Sequence, residues 1–377
     1  MPSKTIVHWA KFYPPEWGGM ESVTHVLAKG AAAHGHAVTV VAFANRQGSG
    51  CQNIDGVRVI RCKSLKTVAS QPISPRWLWS AIRHARQCDI VHIHVPNMFA
   101  ALALPFIGKA PRVVLHWHSD VIGKGWLGKI LQPMERAMLR RADTVIATSP
   151  PYALASVPLR DVQGKIAIIP LGIDDPLLGD LPSQLPLGIK AFVGDRKLIL
   201  SVGRLVPYKG FATLIAAARA LSPDLAIVVV GSGPLEAELK GQIQASGVSD
   251  RVLLSGGLSA SALAAVFNAT SLYVMTSIER SEAFGVVLIE AMAYGLPVIA
   301  TQIQGSGVPW VNEDDVSGCN VPVLNASALA EAVNKILSDS VLYSALAKGA
   351  RTRFTVQFSS EKMLEKTLSL YDTLIPS

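Results

Sequence analysis

The sequence has few cysteines, and they form no recognisable pattern. The only four among 377 residues are Cys51, Cys62, Cys88 and Cys319, with no C-x-x-C spacing, which argues against a zinc site and against a disulfide framework. Such sparse cysteine usage suits a reducing cytoplasm. No D-x-D triplet occurs, and no His/Asp cluster has the spacing of metal ligands. We therefore expect neither a metal ion nor a cofactor.

Long apolar runs are also lacking. The first run, Ile6–Ala10, is shorter than the roughly 7–15 residues of a signal-peptide core. The longest candidate, Met98–Gly108, contains Pro105 and does not reach the roughly 18 apolar residues of a membrane span. We expect a cytoplasmic protein that is either free in solution or attached peripherally to the inner face of the membrane.

The composition is that of a globular protein with two domains. Half of the residues are hydrophobic and the 23 prolines follow no period, which excludes a disordered or a fibrous chain. A length of 377 residues exceeds the roughly 100–200 residues of one domain.

The charge is unevenly distributed along the chain. The net charge is +8, but residues 1–175 hold 20 Lys+Arg against 10 Asp+Glu, whereas the remainder holds 15 against 17. An excess of this size in one half predicts an anionic partner for that half.

Short β-branched runs alternate with helical patterns through most of the chain. This alternation predicts βαβ units, and hence parallel sheets covered on both faces by helices. The predicted strands are Thr5–His8, Ala37–Ala42, Val57–Arg61, Ile90–His94, Arg112–His116, Thr144–Thr148, Ile166–Pro170, Lys197–Val202, Ala226–Val230, Val252–Ser255, Leu272–Met275, Pro297–Ala300 and Gly318–Val321.

Thirteen strands are too many for one such sheet, and a boundary is visible between two groups of them. Residues 175–196 are rich in Pro, Gly and Asp, so we predict domains at 1–175 and 197–358 with a linker at 176–196. A final helix over 359–374 is expected to pack back on the first domain. Ligands of doubly wound sheets bind beyond the carboxyl ends of the strands, so two such domains facing each other would form a cleft that holds the chemistry.

Two cations follow the first strand of the second domain. Arg204 and Lys209 lie five residues apart in a loop bounded by Gly and Pro. A guanidinium fork and a mobile ammonium can grip one diphosphate from two sides. The alternative is a pair of solvated surface cations. The next strand leads into Gly231-Ser232-Gly233-Pro234, which lacks the full G-x-G-x-x-G pattern and favours a tight turn over a phosphate loop.

The strongest signal is a pair of carboxylates eight residues apart. Glu282 lies in a loop, and Glu290 lies on the helix that follows, among apolar neighbours. An ionised Glu in such a helix needs a partner, and two ribose hydroxyls would supply one. The alternative is an N-terminal charge together with a salt-bridged Glu. The amides of Phe284, Gly285 and Val286 are at the start of the helix, where a negative group is stabilised.

These elements resemble, in type and order, the retaining glycosyltransferases of the GT-B fold, and in particular glycosyltransferase family 4 (group 1). The resemblance covers nearly the whole chain, and Glu282 and Glu290 reproduce the E-x7-E element of that family. Segments 118–120, 281–285 and 316–319 look most like bacterial polysaccharide and O-antigen mannosyltransferases. The other elements that match are the Gly18-Gly19 turn, His92 and His94, the Arg204/Lys209 pair, and Gly231–Pro234.

The resemblance implies a role for each matching residue. It implies an α/β protein with two Rossmann-like domains, in which Arg204 and Lys209 hold the donor diphosphate. Glu290 would bind the nucleotide ribose and Glu282 the hydroxyls of the donor sugar. Backbone groups that would touch the donor are those of Gly18, Gly19, Phe284, Gly285, Val286 and Val287.

A histidine of the first domain is expected over the reacting sugar. The resemblance assigns this place to His118, with Asp120 as a possible helper. His116 is the competing candidate, because strand alternation puts it on the same face as His118. His92 and His94 also share a face and are more typical of packing or hydrogen-bonding residues than of ligands.

The early excess of cations falls largely on two helical segments. Residues 75–87 and 123–141 carry Trp and Leu beside Arg and Lys, a combination that suits an anionic bilayer. Solvated basic faces are the alternative. No recognition motif for nucleic acid is present, so we expect no nucleic-acid partner.

The resemblance implies a retaining, metal-independent hexosyltransferase. The expected reaction moves a hexose from a nucleotide sugar to a lipid-linked glycan during synthesis of cell-surface polysaccharide or lipopolysaccharide. GDP-mannose is the leading donor and a UDP-hexose the second. A GT-B nucleotide-sugar epimerase and a non-catalytic partner with the same fold are the rival interpretations.

Overall fold

The structure is a computed structural model that folds into two compact units. It describes residues 3–16, 18–44, 48–68, 71–120, 125–179, 182 and 184–376, with the backbone alone for 125–130. Unit 1 comprises Met1–Ile173 together with Ser360–Ser377, and unit 2 comprises Asp174–Ser359. Ser360 donates its amide to the carbonyl of Ile173 over 2.8 Å, so the chain leaves and re-enters unit 1 at adjacent residues.

Unit 1 is built on an eight-stranded sheet in the order β10-β9-β8-β7-β1-β2-β4-β3. All neighbours are parallel except β3 and β4. The central strands are buried on both faces, which explains their unbroken apolar and β-branched runs. The strands of unit 1 are β1 Thr5–Trp9, β2 Ala37–Ala44, β3 Gly50–Ile54, β4 Val57–Lys63, β5 Lys66–Val68, β6 Gln71–Ile73, β7 Ile90–Val95, β8 Arg112–Trp117, β9 Thr144–Ala147 and β10 Ile166–Ile168.

Helices cover this sheet, and the C-terminal helix is one of them. Helix α14 packs against α1, where Leu364 lies against Gly30, and Lys4 forms an ion pair with Asp372 of α14. The last helix of the chain is therefore part of the first unit. The helices of unit 1 are α1 Gly19–Ala33, α2 Pro75–Ala85, α3 Ala100–Ala103, α4 Gly125–Arg141, α5 Pro150–Ala155 and α14 Ser360–Leu374.

Unit 2 is built on a six-stranded, fully parallel sheet in the order β13-β12-β11-β14-β15-β16. Ile199 of β11 and the Leu, Ile and Val side chains of β12 and β14 pack with α7 and α12 into one apolar core. Its strands are β11 Lys197–Val202, β12 Leu225–Val230, β13 Val252–Gly256, β14 Thr270–Met275, β15 Val298–Thr301 and β16 Gly318–Val321. Its helices are α6 Leu187–Val193, α7 Phe211–Ala217, α8 Glu236–Ala245, α9 Ala260–Asn268, α10 Val286–Ala293, α11 Val308–Val311, α12 Ala326–Ser338 and α13 Ser340–Arg353.

In each sheet, the side on which the chain adds successive strands changes at one point. In unit 1 the chain adds strands on one side of β1 and then on the other side, beginning with β7; in unit 2 the reversal lies between β11 and β14. The loops that leave two such strands diverge and open a crevice at their carboxyl ends. Ligand sites are therefore expected beyond β1 and β7 in unit 1, and beyond β11 and β14 in unit 2.

The predicted linker at 176–196 is wrong in part. Residues 187–193 form α6, which buries Ile189 and Val193, and the segment belongs to unit 2. Asp175 is bound to the same unit by a paired hydrogen bond to Arg351, at 2.9 and 2.5 Å. Two apolar positions in a seven-residue helix are too few to produce a readable period among Pro and Gly.

Among the helices that the structure describes, none is long and apolar enough to cross a membrane.

Candidate active site

Two loops of unit 2 meet at the carboxyl ends of β11 and β14. The β11 loop carries Arg204 and Lys209, and the β14 loop carries Glu282. The loops are tied together by backbone groups, since the amide of Ile278 donates to the carbonyl of Tyr208 over 2.8 Å. Thr276 Oγ1 also donates to the carbonyl of Lys209 over 2.9 Å. The fold thus brings together residues that are about seventy positions apart in sequence.

Lys209 and Glu282 form an ion pair at this meeting point. Lys209 Nζ lies 2.5 Å from Glu282 Oε2, and the two side chains are only 11% and 12% exposed. Ser277 Oγ donates to the same carboxylate oxygen over 3.0 Å. A pair this short and this shielded is a preformed polar centre rather than a surface ion pair.

Arg204 differs from Lys209 because its side chain is exposed. Within the described part of the chain, its guanidinium has no hydrogen-bond or ion-pair partner. The Lys209–Glu282 ion pair is nearly neutral. The guanidinium of Arg204 in the same loop therefore leaves net positive charge at the entrance of the site. An anionic ligand would therefore meet one free cation and one that is shared with Glu282.

Glu290 is half-buried on α10, and burial raises the pKa of its carboxyl to about 7. No described side chain or backbone group hydrogen-bonds it. The neighbouring Tyr273 is fully buried, and its hydroxyl has no partner within the described chain. Burial, together with the charges of Glu282 and Glu290, raises the pKa of Tyr273 well above its ordinary value. A desolvated carboxyl that has no internal partner is typical of a group that a ligand completes.

The backbone turns sharply between the two glutamates. Gly285 has φ +78° and caps α10, and a Cβ there would approach Leu288 Cδ1 to 2.9 Å, so glycine is required. The amides of Val286 and Val287 lie in the first helical turn, where no intrahelical acceptor exists for them. Phe284 instead packs its ring edge-on against Phe358, with centroids 5.9 Å apart. The Phe284 side chain therefore has a packing role, and only the backbone of this residue could contact a ligand.

The Gly231–Pro234 segment has a packing role. Gly231 has φ +148°, and a Cβ there would lie 1.9 Å from the carbonyl oxygen of Gly203. A Cβ on Gly233 would lie 2.4 Å from the carbonyl oxygen of Leu205. These glycines allow the β12 loop to lie against the loop that carries Arg204, which agrees with the tight-turn interpretation.

Gly18 and Gly19 differ from each other in the space around them, since a Cβ on Gly18 would lie 2.5 Å from Glu21 Oε2. Gly18 is extended, with φ −173°, and Gly19 begins α1. A Cβ on Gly19 would meet nothing within 4 Å. Nothing in the described structure requires glycine at position 19.

Unit 1 contains a cluster of five buried histidines on its three central strands. The register places His8 beside His92, and His94 beside His116. His118 follows β8 and keeps 9% of its surface exposed, whereas the other four are at most 2% exposed. We call His8, His92, His94, His116 and His118 the histidine cluster.

Hydrogen-bond distances divide the cluster into two rows. In the first row, His118 Nε2 lies 3.1 Å from His94 Nδ1, and His94 Nε2 lies 3.2 Å from His8 Nδ1. In the second row, His116 Nδ1 lies 3.2 Å from His92 Nε2, and His92 Nδ1 lies 2.5 Å from the Tyr371 hydroxyl of α14. Each row runs from the carboxyl edge of the sheet towards its interior.

Burial keeps this cluster neutral. It lowers the pKa of His8 and of His118 to about 3. Burial also lowers the pKa values of the other three members well below the ordinary value, and the neighbouring imidazoles add to the shift. At neutral pH each ring therefore carries one proton.

The structure separates the two histidines that the sequence left in competition. His116 is fully enclosed, and its ring stacks on that of His118 at 4.3 Å and 3°. His118 alone of the pair retains exposed surface. Asp120, the possible helper, accepts from Trp117 Nε1 over 2.9 Å and from Ser156 Oγ over 2.6 Å, so its carboxylate serves the loop.

Sequence reasoning missed several members of these sites. His8 lies in an ordinary apolar strand, and Tyr371 lies almost 280 residues beyond its partner, so neither has a local signal. Ser277 follows the end of β14 and Tyr273 lies within that strand, and neither belongs to a recognisable motif. Only the cross-strand register could have revealed His8, because it pairs with His92.

Comparison with known proteins agrees with this architecture. Residues 188–353 match the family described as glycosyl transferases group 1, and residues 18–172 match the glycosyl transferase 4-like domain. The O-antigen chain mannosyltransferase C of Escherichia coli is 32% identical over 99% of both chains. A GDP-mannose-dependent alpha-(1-6)-phosphatidylinositol monomannoside mannosyltransferase of Mycobacterium tuberculosis is 26% identical over 94% of both.

A solved structure extends the likeness to the fold. Anabaena HepE in complex with UDP and glucose superposes with a TM-score of 0.78 at 21% identity, covering 98% of this chain and all of that one. The chain therefore belongs to the group 1 glycosyltransferases and has the GT-B fold.

Proposed function

We propose that this glycosyltransferase moves a mannosyl group from GDP-mannose, with retention of configuration, to a glycan acceptor on a lipid carrier. The observation that carries the proposal is the polar centre of unit 2, in which Arg204, the Lys209–Glu282 ion pair and Glu290, which has no partner among the described residues, flank the β11/β14 reversal. The similarity to O-antigen and GDP-mannose-dependent mannosyltransferases supports this donor and this kind of acceptor.

The donor diphosphate is held by charge. Arg204 is exposed and has no described partner, so it can form a bidentate contact without breaking an internal bond. Lys209 shares its ammonium between Glu282 and the incoming phosphate. The amides at the start of α10 add the positive end of a helix. These groups stabilise the departing nucleotide diphosphate, the role that a divalent cation plays in other transferases, so we propose that the reaction needs no metal.

The two glutamates bind hydroxyl groups. Glu290, as a carboxylate, accepts hydrogen bonds from both hydroxyls of the nucleotide ribose, and these are the partners that it lacks among the described residues. Glu282 accepts from hydroxyls of the donor sugar, and its ion pair with Lys209 links the sugar to the leaving group. Gly19 lets a ligand approach the backbone at the start of α1, because a Cβ there would occupy open space. His118 contributes a neutral imidazole to the reacting sugar.

The chemical step is a front-face substitution. The bond between the anomeric carbon and the phosphate oxygen breaks, and the acceptor oxygen bonds to the same face of that carbon. The acceptor hydroxyl gives its proton to the departing phosphate, so no carboxylate nucleophile is required. Arg204 and Lys209 lower the barrier by neutralising the charge that develops on the leaving group.

A panel of nucleotide sugars tests the donor. At about 100 times its Kd, a ligand of the native state adds about 2.7 kcal/mol to the free energy of unfolding, which raises Tm by about 5–10 °C for a unit of this size. GDP-mannose is expected to give the largest shift and to support transfer of labelled mannose in EDTA. A larger shift with a UDP-hexose would refute the donor, and inhibition by EDTA would refute metal independence. If no nucleotide sugar gave a shift or transfer, the proposed activity itself would be wrong.

A matched pair of variants localises the binding. Arg204→Ala should abolish the shift caused by GDP-mannose because the diphosphate loses its free cation. Arg219→Ala removes a cation that is also exposed but lies away from the β11 loop, and it should leave the shift unchanged. Equal shifts in both variants would contradict the assignment of Arg204.

Helix α2 of unit 1 is proposed to bind an anionic membrane surface. Arg76, Trp79, Arg83 and Arg86 form one exposed stripe of this helix, which contains no acidic residue. The Arg83 guanidinium lies 5.1 Å from the centre of the Trp79 ring, and Trp79 is 59% exposed. An aromatic ring flanked by cations fits the interface of an anionic bilayer.

Helix α4 belongs to the second basic segment of unit 1, residues 123–141. Residues 123–124 lie outside the described residues, and the side chains of 125–130 are not described, so the structural support comes from α2. Cosedimentation with vesicles of phosphatidylglycerol and phosphatidylcholine tests the surface. Trp79→Ala with Arg83→Ala should release the protein from these vesicles, whereas binding that persists in the double variant would refute the role of α2.

A further inference from the structure

The histidine cluster contains more imidazoles than the proposed reaction uses. Only His118 keeps exposed surface, yet His94 and His8 lie behind it, fully or almost fully enclosed on a face where aliphatic side chains would pack well. Polar rings in such a place cost free energy unless they are hydrogen-bonded. His94 satisfies both ring nitrogens within the row, since one lies 3.1 Å from His118 and the other 3.2 Å from His8.

The first row has only two consistent arrangements of protons. Each neutral imidazole has one N–H and one lone pair, so each hydrogen bond needs a proton from only one of its two rings. If His8 donates to His94, then His94 must donate to His118, and the outer nitrogen of His118 carries its proton. If His118 donates inward, every ring reverses and its outer nitrogen is a lone pair. The three tautomers therefore change together or not at all.

We propose that His94 and His8 are positioning residues that hold His118 in one tautomer. The outer nitrogen, Nδ1 of His118, then presents either a proton or a lone pair to the sugar, and never a mixture of the two. Nε2 of His8 is buried and has no partner within the described chain, so the row ends there and cannot be reset by solvent. A catalytic imidazole of fixed hydrogen-bonding sense needs no reorganisation when the ligand arrives.

The same imidazoles could be taken for a metal site, since His8, His92 and His94, or His94, His116 and His118, have ligand atoms within 4.8 Å of one another. The ring geometry does not favour this. His92 is stacked on His8 and on His94 at 21° and 17° from parallel, and lone pairs in nearly parallel stacked planes do not converge on one point. The nearest nitrogens are paired across hydrogen-bond distances instead.

The tautomer can be measured without any assay of activity. In protein labelled with ¹⁵N-histidine, the chemical shifts of the two His118 ring nitrogens report which one carries the proton, and a His118→Ala variant assigns them. The wild-type protein is expected to show one tautomer of His118. A mixture in the wild type would overturn the proposal.

Two buried variants then separate hydrogen bonding from packing. His8→Phe removes the inner end of the first row and is expected to give a mixture of His118 tautomers. His116→Phe preserves the ring that stacks on His118 but belongs to the second row, so it should leave the His118 tautomer unchanged. A single unaltered tautomer in His8→Phe, or a mixture in His116→Phe, would overturn the proposal.

The consequence for rate rests on the proposed function. His8→Phe should lower kcat about tenfold, the rate equivalent of one hydrogen bond, and leave the KM for the donor within about twofold, because His8 lies two rings away from any ligand. If His118→Ala does not slow transfer, the role of His118 in the reaction fails while the tautomer measurement still stands. Stoichiometric binding of Zn²⁺ to the wild-type protein, with a rise in Tm that His8→Phe abolishes, would show that the histidine cluster is a metal site. That result would overturn the proposal that His94 and His8 position His118.

Discussion

Lowering the pH from 7.5 to 5.0 is expected to destabilise unit 1 steeply, because its histidine cluster is neutral in the folded state. The pKa of His8 and of His118 is about 3 when folded, against about 6.5 in an unfolded chain. The unfolded chain thus binds protons that the folded unit excludes. The contribution to stability is complete above pH 6.5 and is lost as the pH falls from 6.5 towards 3.

The magnitude follows from the number of rings. Each such histidine removes about 1.4 kcal/mol of unfolding free energy per pH unit in this window, or about 2 kcal/mol between pH 6.5 and 5.0. His8 and His118 together account for about 4 kcal/mol. Burial lowers the pKa values of the other three members as well, so they add to this loss.

Other groups of unit 1 act in part against this loss. Burial raises the pKa of Glu135 to about 7, so its folded form holds a proton that the unfolded chain releases, which returns about 2 kcal/mol on acidification to pH 5.0. Burial also raises the pKa of Glu21, and burial lowers that of His36, so these two oppose each other. About 2 kcal/mol of the loss from His8 and His118 therefore remains, and the other three rings add to it; even this is a large fraction of the stability of a typical domain.

Tryptophan fluorescence during urea denaturation is a suitable assay, because six of the seven tryptophans belong to unit 1. His8→Phe should flatten the dependence of unfolding free energy on pH by about 1.4 kcal/mol per pH unit, whereas replacing the exposed His34 by Asn should not change it. A free energy of unfolding that stays constant or rises from pH 6.5 to 5.0 would refute the assignment of neutral, buried imidazoles.

Three further predictions concern unit 2. Glu282→Ala should lower kcat at least 100-fold, since it removes a group poised at the reacting sugar, while nucleotide binding measured by calorimetry changes little; Glu279→Ala, at an exposed position three residues earlier, is the control. Undiminished turnover in the first variant would remove Glu282 from the sugar site. Glu290 must be ionised to accept two hydroxyls and its pKa is about 7, so the KM for the donor should fall as the pH rises from 6 to 8, and Glu290→Gln should abolish that dependence. A wild-type KM that is flat over this range would contradict the ribose role. Gly231→Ala should destabilise the unit by about 3 kcal/mol or more, because the new Cβ would lie 1.9 Å from a carbonyl oxygen. Gly241→Ala, in a helix with open space around it, should stabilise it by about 0.5–1 kcal/mol, and equal effects in chemical denaturation would show that the close approach is not real.

Much of the fold could be predicted because its signals are local. Every strand of the predicted series is present, since buried parallel strands are written as short β-branched runs between turns. The antiparallel strand Gly50–Ile54 was missed because it is polar and mostly exposed. Helix Leu187–Val193 was missed because two buried residues make no period.

The candidate site divides in the same way. Arg204, Lys209, Glu282 and Glu290 could be proposed from the sequence because each lies in a recognisable motif, either in the loop after a strand or in the helix that follows that loop. Their pairing could not, since it depends on β11 and β14 being neighbours in the sheet although 67 residues separate Lys209 from its second partner, Thr276. That Arg204 has no partner among the described residues likewise depends on which groups lie near it in the folded chain.

The sequence by itself determined the two parallel-sheet units and the family, and it supplied the residues that we propose to bind the donor, because those are properties of short segments. Only the tertiary structure decided that Lys209 neutralises Glu282, that Glu290 has no described internal partner, and that five histidines form two hydrogen-bonded rows, one of which ends at Tyr371 of the last helix. Hydrogen bonds and desolvation act over a few ångströms, and which groups come that close is set by strand order and register. No local pattern encodes those distances.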